Sequence, residues 1–187
     1  MLTRYAMTRP VTFVLLIVFA LSQGCDPSNS APVDAAVDTA VDAAPNPFDH
    51  PARVLRVIDG DTLEVNFQGV ELRVRFSGID TPELGPPDEP WAAEARLLTL
   101  QYATPATNVG LEFDDEACAI IPFPTTCFDI YDRLLVYVRT AQGYDLNAML
   151  LAGGLATVYD QANFARKADY LTIQAEAQAE GVGIWSP

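Results

Sequence analysis

Residues 53–77 constrain the fold more than any other stretch of this chain. Arg53–Ile58 and Thr62–Phe67 each alternate apolar with polar residues, and Asp59-Gly60 lies between them. Period-two alternation across an Asp-Gly pair predicts a β-hairpin. Gln68-Gly69 then turns the chain into Val70–Ser77. There Val70, Leu72, Val74 and Phe76 share one face, while Glu71, Arg73 and Arg75 share the other. The three segments predict a meander with one wet face, and that face carries Arg75.

The rest of the domain reads as mixed structure. Pro82, Pro86, Pro87 and Pro90 mark a loop. Asp88-Glu89-Pro90 predicts a helix start, with acids and proline in its first turn, running to about Tyr102. Asn108–Phe113 and Leu134–Arg139 read as a fourth and a fifth strand, separated by a loop over Asp114–Asp129. Asp145 caps a second helix through about Leu151, ended by Gly153-Gly154. A third helix runs from Ala165 to about Glu180 and stops at Gly181. Strands first, with helices interspersed and following, predict an α+β fold on a small five-stranded barrel.

What precedes the domain looks like an address. Met1–Pro10 carries Arg4 and Arg9 and no acid, and Val11–Leu21 is almost wholly apolar. That run spans roughly 17 Å as a helix, against about 30 Å of bilayer hydrocarbon. It fits a signal peptide for export. It ends in Leu21-Ser-Gln-Gly-Cys25, which resembles a bacterial lipoprotein signal, although Ser22 stands where an aliphatic residue is preferred. Lipidation of Cys25 would tether the protein to a membrane of the cell envelope. Ordinary cleavage near Gly24 would leave Cys25 a free thiol and the protein secreted. Residues 26–50 are rich in Ala, Asp and Pro and repeat Val-Asp-Ala-Ala-like units over 33–44. Such composition predicts a disordered linker, with an end-to-end distance of roughly 25–30 Å. The expected division is residues 1–25, signal; 26–50, linker; 51–187, folded domain. His50, the single histidine, falls at the linker's edge and is assigned no chemistry. With Cys25 lipidated, Cys118 and Cys127 remain, and an even remainder in an exported protein predicts a disulfide.

Charge narrows the function classes. The chain carries a formal net charge of −14. From Pro51 onward 9 Lys/Arg stand against 20 Asp/Glu, a balance of −11. Such a surface does not attract polyanions, so affinity for nucleic acid must come from local arginines and a bound cation. The chain supplies candidates for both. Asp59-Gly-Asp61-Thr62, Arg75, Asp80-Thr81-Pro-Glu83 and Asp129-Ile-Tyr131-Asp-Arg133 are each ordinary alone: turns, a surface arginine, a loop end. Together they offer carboxylates for a hard cation and two guanidinium groups for a phosphate.

Their order and spacing carry a resemblance. Residues 53–187 resemble the staphylococcal nuclease (thermonuclease) family. The shared motifs are Val57-Ile-Asp-Gly-Asp-Thr62, Arg75 before Asp80-Thr-Pro-Glu83, Tyr131-x-Arg133, Asn147-Ala-x-Leu150 with Gly154-Leu-Ala, Glu176-Ala-x-Ala179, and Gly183-Ile-Trp-Ser186. The resemblance implies an OB-fold: a five-stranded β-barrel with three α-helices. It implies a monomeric Ca²⁺-dependent endonuclease that cleaves single-stranded or denatured DNA and RNA to 3′-phosphate products. Carried over by position, Asp61 and Asp80 bind Ca²⁺ through carboxylates and Thr81 through its carbonyl. Glu83 holds the attacking water. Arg75 and Arg133 clamp the phosphate, Tyr131 approaches the substrate, and Asp59 serves the turn. The chain departs from the family in its acidity, in Asp88 and Glu89 after Glu83, in Asp132 where glycine is usual, and in the inserted cysteine loop. The acidity keeps a second reading open: an inactive OB-fold module that binds single-stranded nucleic acid or another envelope ligand.

Overall fold

The computed structural model describes residues 48–187. The expected signal segment, Cys25 and nearly all of the linker lie outside the described residues.

The expected meander forms and closes. Strand β1 (Pro51–Val57), β2 (Thr62–Phe67) and β3 (Val70–Phe76) pair antiparallel in sequence order. β5 (Asn108–Glu112) pairs antiparallel with β1 and with β6 (Leu134–Arg139), and β6 closes on β3 in parallel. The result is a closed five-stranded barrel in the order β1-β2-β3-β6-β5. Its interior is filled by Val54, Leu63, Val65, Phe67, Val74, Phe76, Leu111, Leu134 and Val136, all buried. Each such side chain contributes roughly 1.5–3 kcal/mol relative to exposure. Three helices complete the α+β fold: α1 (Ala92–Tyr102), α2 (Leu146–Ala152) and α3 (Lys167–Glu180).

A second, two-stranded sheet joins β4 (Ile79–Asp80) to β7 (Thr157–Val158). Two-residue strands carry no periodicity, so the sequence could not announce them. They matter because they fix Asp80.

Several local expectations are revised. Arg75 does not lie on a wet face: its side chain is 11% exposed, because the 58–61 turn and β6 cover that end of β3. Val70, expected inside, is 40% exposed at the strand's start. Asp88 and Glu89 do not open α1, which begins at Ala92 after a left-handed Trp91 (φ 73°). They close the preceding loop instead: Gly85 N–H donates to Asp88 (3.0 Å) and Glu83 N–H to Glu89 (2.9 Å). The third helix starts at Lys167, two residues later than expected, and the Ala165 N–H ahead of it donates to the Asp114 carboxylate (3.1 Å). His50 is not loose at a linker's edge. Its carbonyl accepts from Leu111 N–H, and its ring packs edge-on against Phe67 and Phe113.

Candidate active site

The turn between β1 and β2 is wider than a two-residue hairpin. β1 ends at Val57 and β2 begins at Thr62, with Ile58 N–H donating to the Thr62 carbonyl (3.0 Å). Asp59 organises it by accepting from Asp61 N–H (3.2 Å). Helix α1 holds it from behind. Thr99 Oγ1 donates to the Gly60 carbonyl (2.5 Å), and Arg96 donates to the carbonyls of Val57 and Ile58 (3.2 Å each). Gly60 does not adopt the left-handed conformation that an Asp-Gly hairpin suggests. It is required for closeness: a Cβ there would lie 2.8 Å from Ala95 and from the Thr81 side chain. The turn is thereby pressed onto the segment after β4, and Asp61 turns inward.

Asp61 is fully buried. Its Oδ2 accepts from Thr81 N–H (2.8 Å), and its Oδ1 accepts from Thr62 Oγ1 (3.1 Å) and pairs with Arg75 Nη1. Arg75 Nη2 pairs with Asp80 Oδ1. One guanidinium thus spans two carboxylates that are 19 positions apart in the chain. Register explains the meeting: Thr62 faces Arg75 across β2 and β3, and Asp80 is fixed opposite Thr157.

The second arginine comes from β6. Parallel pairing sets Val74 beside Leu134 and Arg75 beside Leu135, which brings Arg133 to the same end of the barrel. Arg133 Nη1 reaches Thr62 Oγ1 (3.4 Å), and its guanidinium lies 5.3 Å from the Tyr131 ring centre. Asp129 holds it in place. The Asp129 Oδ1 accepts from the N–H groups of Tyr131 (2.9 Å) and Arg133 (3.0 Å), while Oδ2 accepts from Arg133 Nε (2.7 Å). Asp132 takes the left-handed conformation (φ 58°) that this tight loop demands. Asparagine, aspartate and glycine tolerate that region best. The sequence reading used Asp129 only as the start of a motif. An aspartate four residues before an arginine, at a loop end, is the signal that could have marked it as a positioning residue.

Glu83 stands exposed at the edge of this group, on the loop closed by Asp88 and Glu89. Burial, and then the nearby Asp59 carboxylate, push its pKa up. Burial also raises Asp59, against a hydrogen bond from Thr62 and the pull of Arg75 and Arg133. Burial lowers Arg75, yet an arginine keeps its charge.

A cleft of about 730 Å³ opens on Arg75, Asp80, Glu83, Asp129, Tyr131 and Arg133. Asp61 and Thr81 lie buried behind it. Tyr131 is 69% exposed at its mouth. Cys118 and Cys127 are joined in a disulfide, Cα–Cα 5.6 Å, and line the cleft from another side.

Whether these groups suit a divalent cation is a question of donor chemistry. Asp59, Asp61, Asp80 and Glu83 offer only hard oxygens, and Arg75 and Arg133 do not balance them. Oxygen ligands with surplus negative charge fit Ca²⁺. Among the described residues no three His, Cys, Asp or Glu side chains converge as a ready metal site. Asp61 and Asp80 are engaged by Arg75 instead.

The sequence pattern of the family described as staphylococcal nuclease homologue matches residues 73–187. The match includes Arg75, Asp80, Thr81, Glu83 and Arg133 but begins after Asp61. A thermonuclease of Staphylococcus intermedius is 34% identical over 140 residues, covering 71% of this chain and 74% of its own. A thermonuclease of Staphylococcus hyicus is 32% identical over 138 residues, covering 72% and 75%. An uncharacterised endonuclease of Escherichia coli is 29% identical over 134 residues, covering 72% and 76%.

Proposed function

The chain belongs to the staphylococcal nuclease family, and from that premise we propose that it is an exported, Ca²⁺-dependent endonuclease of single-stranded DNA and RNA. The observation that supports the reading most is the joint hold of Arg75 on Asp61 and Asp80, with Thr81 N–H on the same Asp61 carboxylate. It gathers three separate stretches of chain into one charged group beside an open cleft.

In this reading Asp61 and Asp80, with the Thr81 carbonyl, hold Ca²⁺. When bound, the ion offsets the phosphate's charge and polarises its oxygen. The substrate phosphate competes with Asp61 and Asp80 for Arg75, and guanidinium forks suit phosphate as well as carboxylate. Arg75 and Arg133 then stabilise the charge that grows on the pentacoordinate phosphorus. Glu83 orients a water and accepts its proton as oxygen attacks phosphorus. The bond from phosphorus to the 5′-oxygen breaks, leaving a 3′-phosphate, and the departing 5′-oxygen takes a proton from solvent to become a 5′-hydroxyl. A carboxylate with a raised pKa is a better proton acceptor near neutrality than an ordinary one. Asp129 keeps Arg133 aimed.

Placement in the cell envelope rests on the sequence of residues 1–25 and on lipidation of Cys25. The acidic surface makes the site depend on its cation and two arginines to draw a polyanion. The test is incubation of the purified protein with single-stranded DNA, with Ca²⁺ or with a chelator. Hydrolysis to 3′-phosphate ends with Ca²⁺ alone is the expected result. Hydrolysis indifferent to chelation would remove the cation from the reading. Binding in Ca²⁺ without any cleavage would mark the barrel as a binding module instead.

A further inference from the structure

The loop between β5 and β6 does more than carry a disulfide. Asp114, Asp115, Cys118, Thr126, Cys127 and Phe128 line the same cleft as Arg75, Glu83 and Arg133. The bond between Cys118 and Cys127, both buried, clasps the loop into a fixed wall. Two short helical turns, Glu116–Ala119 and Thr125–Cys127, flank its tip.

This wall differs in chemistry from the side that holds the arginines. Phe128 is half-buried with its ring 6.1 Å from Phe123, so it is a fixed aromatic surface. Phe164, which also lines the cleft, is packed against Tyr170 at 5.8 Å. Asp114 and Asp115 are exposed. Asp114 Oδ1 accepts from Tyr137 Oη (2.6 Å) and Ala165 N–H (3.1 Å), and Asp115 Oδ1 accepts from Ala117 N–H (2.9 Å). Among the described residues no protein hydrogen bond reaches Oδ2 of either. The wall therefore presents an apolar ring surface edged by carboxylates that only accept.

A phosphate chain is repelled by that edge, whereas a neutral base is not. Nucleobases stack on aromatic surfaces whatever their sequence. Exocyclic amino groups of cytosine and adenine donate to carboxylates, while thymine and uracil present a carbonyl oxygen at the equivalent place. We propose that the disulfide-clasped loop is the base-selecting wall of this cleft: it takes the base beside the scissile phosphate, favours cytosine and adenine over thymine and uracil, and keeps the phosphate chain on the arginine side. This rests on the nuclease reading of the same cleft.

The experiment compares kcat/KM on short homopolymers of deoxycytidine, deoxyadenosine and thymidine in Ca²⁺, for the full chain and for Asp114→Asn/Asp115→Asn. The wild type should favour deoxycytidine and deoxyadenosine over thymidine by roughly tenfold. Asparagine keeps the Oδ1 acceptor that each loop contact uses, but replaces the second oxygen with a donor. The ratio should therefore fall or invert toward thymidine in the variant. A ratio cancels any general loss of active protein, and the wild-type preference needs no variant at all. Equal rates on the three homopolymers, or a preference unmoved in the variant, overturn the base-selecting wall and leave the nuclease reading intact. No hydrolysis of any homopolymer by the wild type overturns both.

Discussion

Two polar regions of this barrel use the same residue types and reach opposite electrostatic states. At the site, Asp59, Asp61, Asp80, Glu83 and Asp129 gather around Arg75 and Arg133. Elsewhere, Glu112 and Asp145 interlock with Arg139 and Arg166. Arg139 Nε donates to Glu112 (2.6 Å), and Arg166 pairs with Glu112 and, at 2.7 Å, with Asp145. Arg166 also lies 4.0 Å over the Tyr137 ring, and Tyr170 Oη donates to Asp145 (3.0 Å). Both regions border a cavity of similar size, about 740 Å³ at the network and about 730 Å³ at the site. Volume therefore does not separate them; charge balance does.

The directions of the pKa shifts express the difference. At the network, burial works to raise Glu112, but the bonds from Arg139 and Arg166 outweigh it and hold Glu112 low. Burial likewise works against the charge on Arg166, and Glu112 and Asp145 more than offset it. At the site burial wins: it raises Asp59 against Thr62, Arg75 and Arg133, and together with the Asp59 and Asp80 carboxylates it raises Glu83. Asp129 is held low there by its bonds from Arg133 and Tyr131, which outweigh its burial. The network is satisfied within the chain. The site carries surplus negative charge: five carboxylates stand around two arginines.

Substitution at Glu83 tests the contrast most sharply. Glu83→Gln should lower kcat on single-stranded DNA by about 10²–10⁴-fold. Its melting temperature should be no lower than that of the wild type, because a surplus charge is removed. An unchanged kcat would sink the assigned role of Glu83. The opposite pattern is expected at the network. Arg166→Ala leaves Glu112 and Asp145 without a shared partner, at a cost of about 2–3 kcal/mol, or a fall in melting temperature of roughly 5–10 °C. That is below the cost for a fully buried pair because Arg166 is 24% exposed. Residual activity per folded molecule should stay close to wild type, and a selective loss of kcat without loss of stability would break the comparison.

The smallest effect is on acid stability. Glu112 is held low in the folded state, so its contribution is present above the unfolded glutamate pKa and is lost as pH falls through the folded one. Glu112→Gln should flatten the decline of melting temperature on acidification below about pH 5. A decline as steep as in the wild type would show that Glu112 does not carry the acid sensitivity.

Some of this was legible in the chain. The alternation over residues 53–77 encodes a meander because side chains on a strand point to opposite faces, a local rule. The capping role of Asp145 was readable too, and its carboxylate accepts from Ala148 N–H (3.1 Å). Asp88 and Glu89 misled because an acid before a helix and an acid closing a loop look alike in sequence. They are told apart only by where Glu83 and Gly85 lie.

What the sequence determined by itself was a five-stranded α+β barrel, its family, and which residue types could serve a phosphate and a cation. The tertiary structure decided how they meet. Closure of β3 on β6 set Arg133 beside Arg75, and the two-residue pair β4–β7 fixed Asp80. The press of Gly60 against Ala95 and Thr81 buried Asp61. The same packing laid the disulfide loop along the cleft. Periodicity and turn residues report on neighbours along the chain. Contacts between residues far apart in sequence depend on register and close packing, which only the assembled barrel specifies.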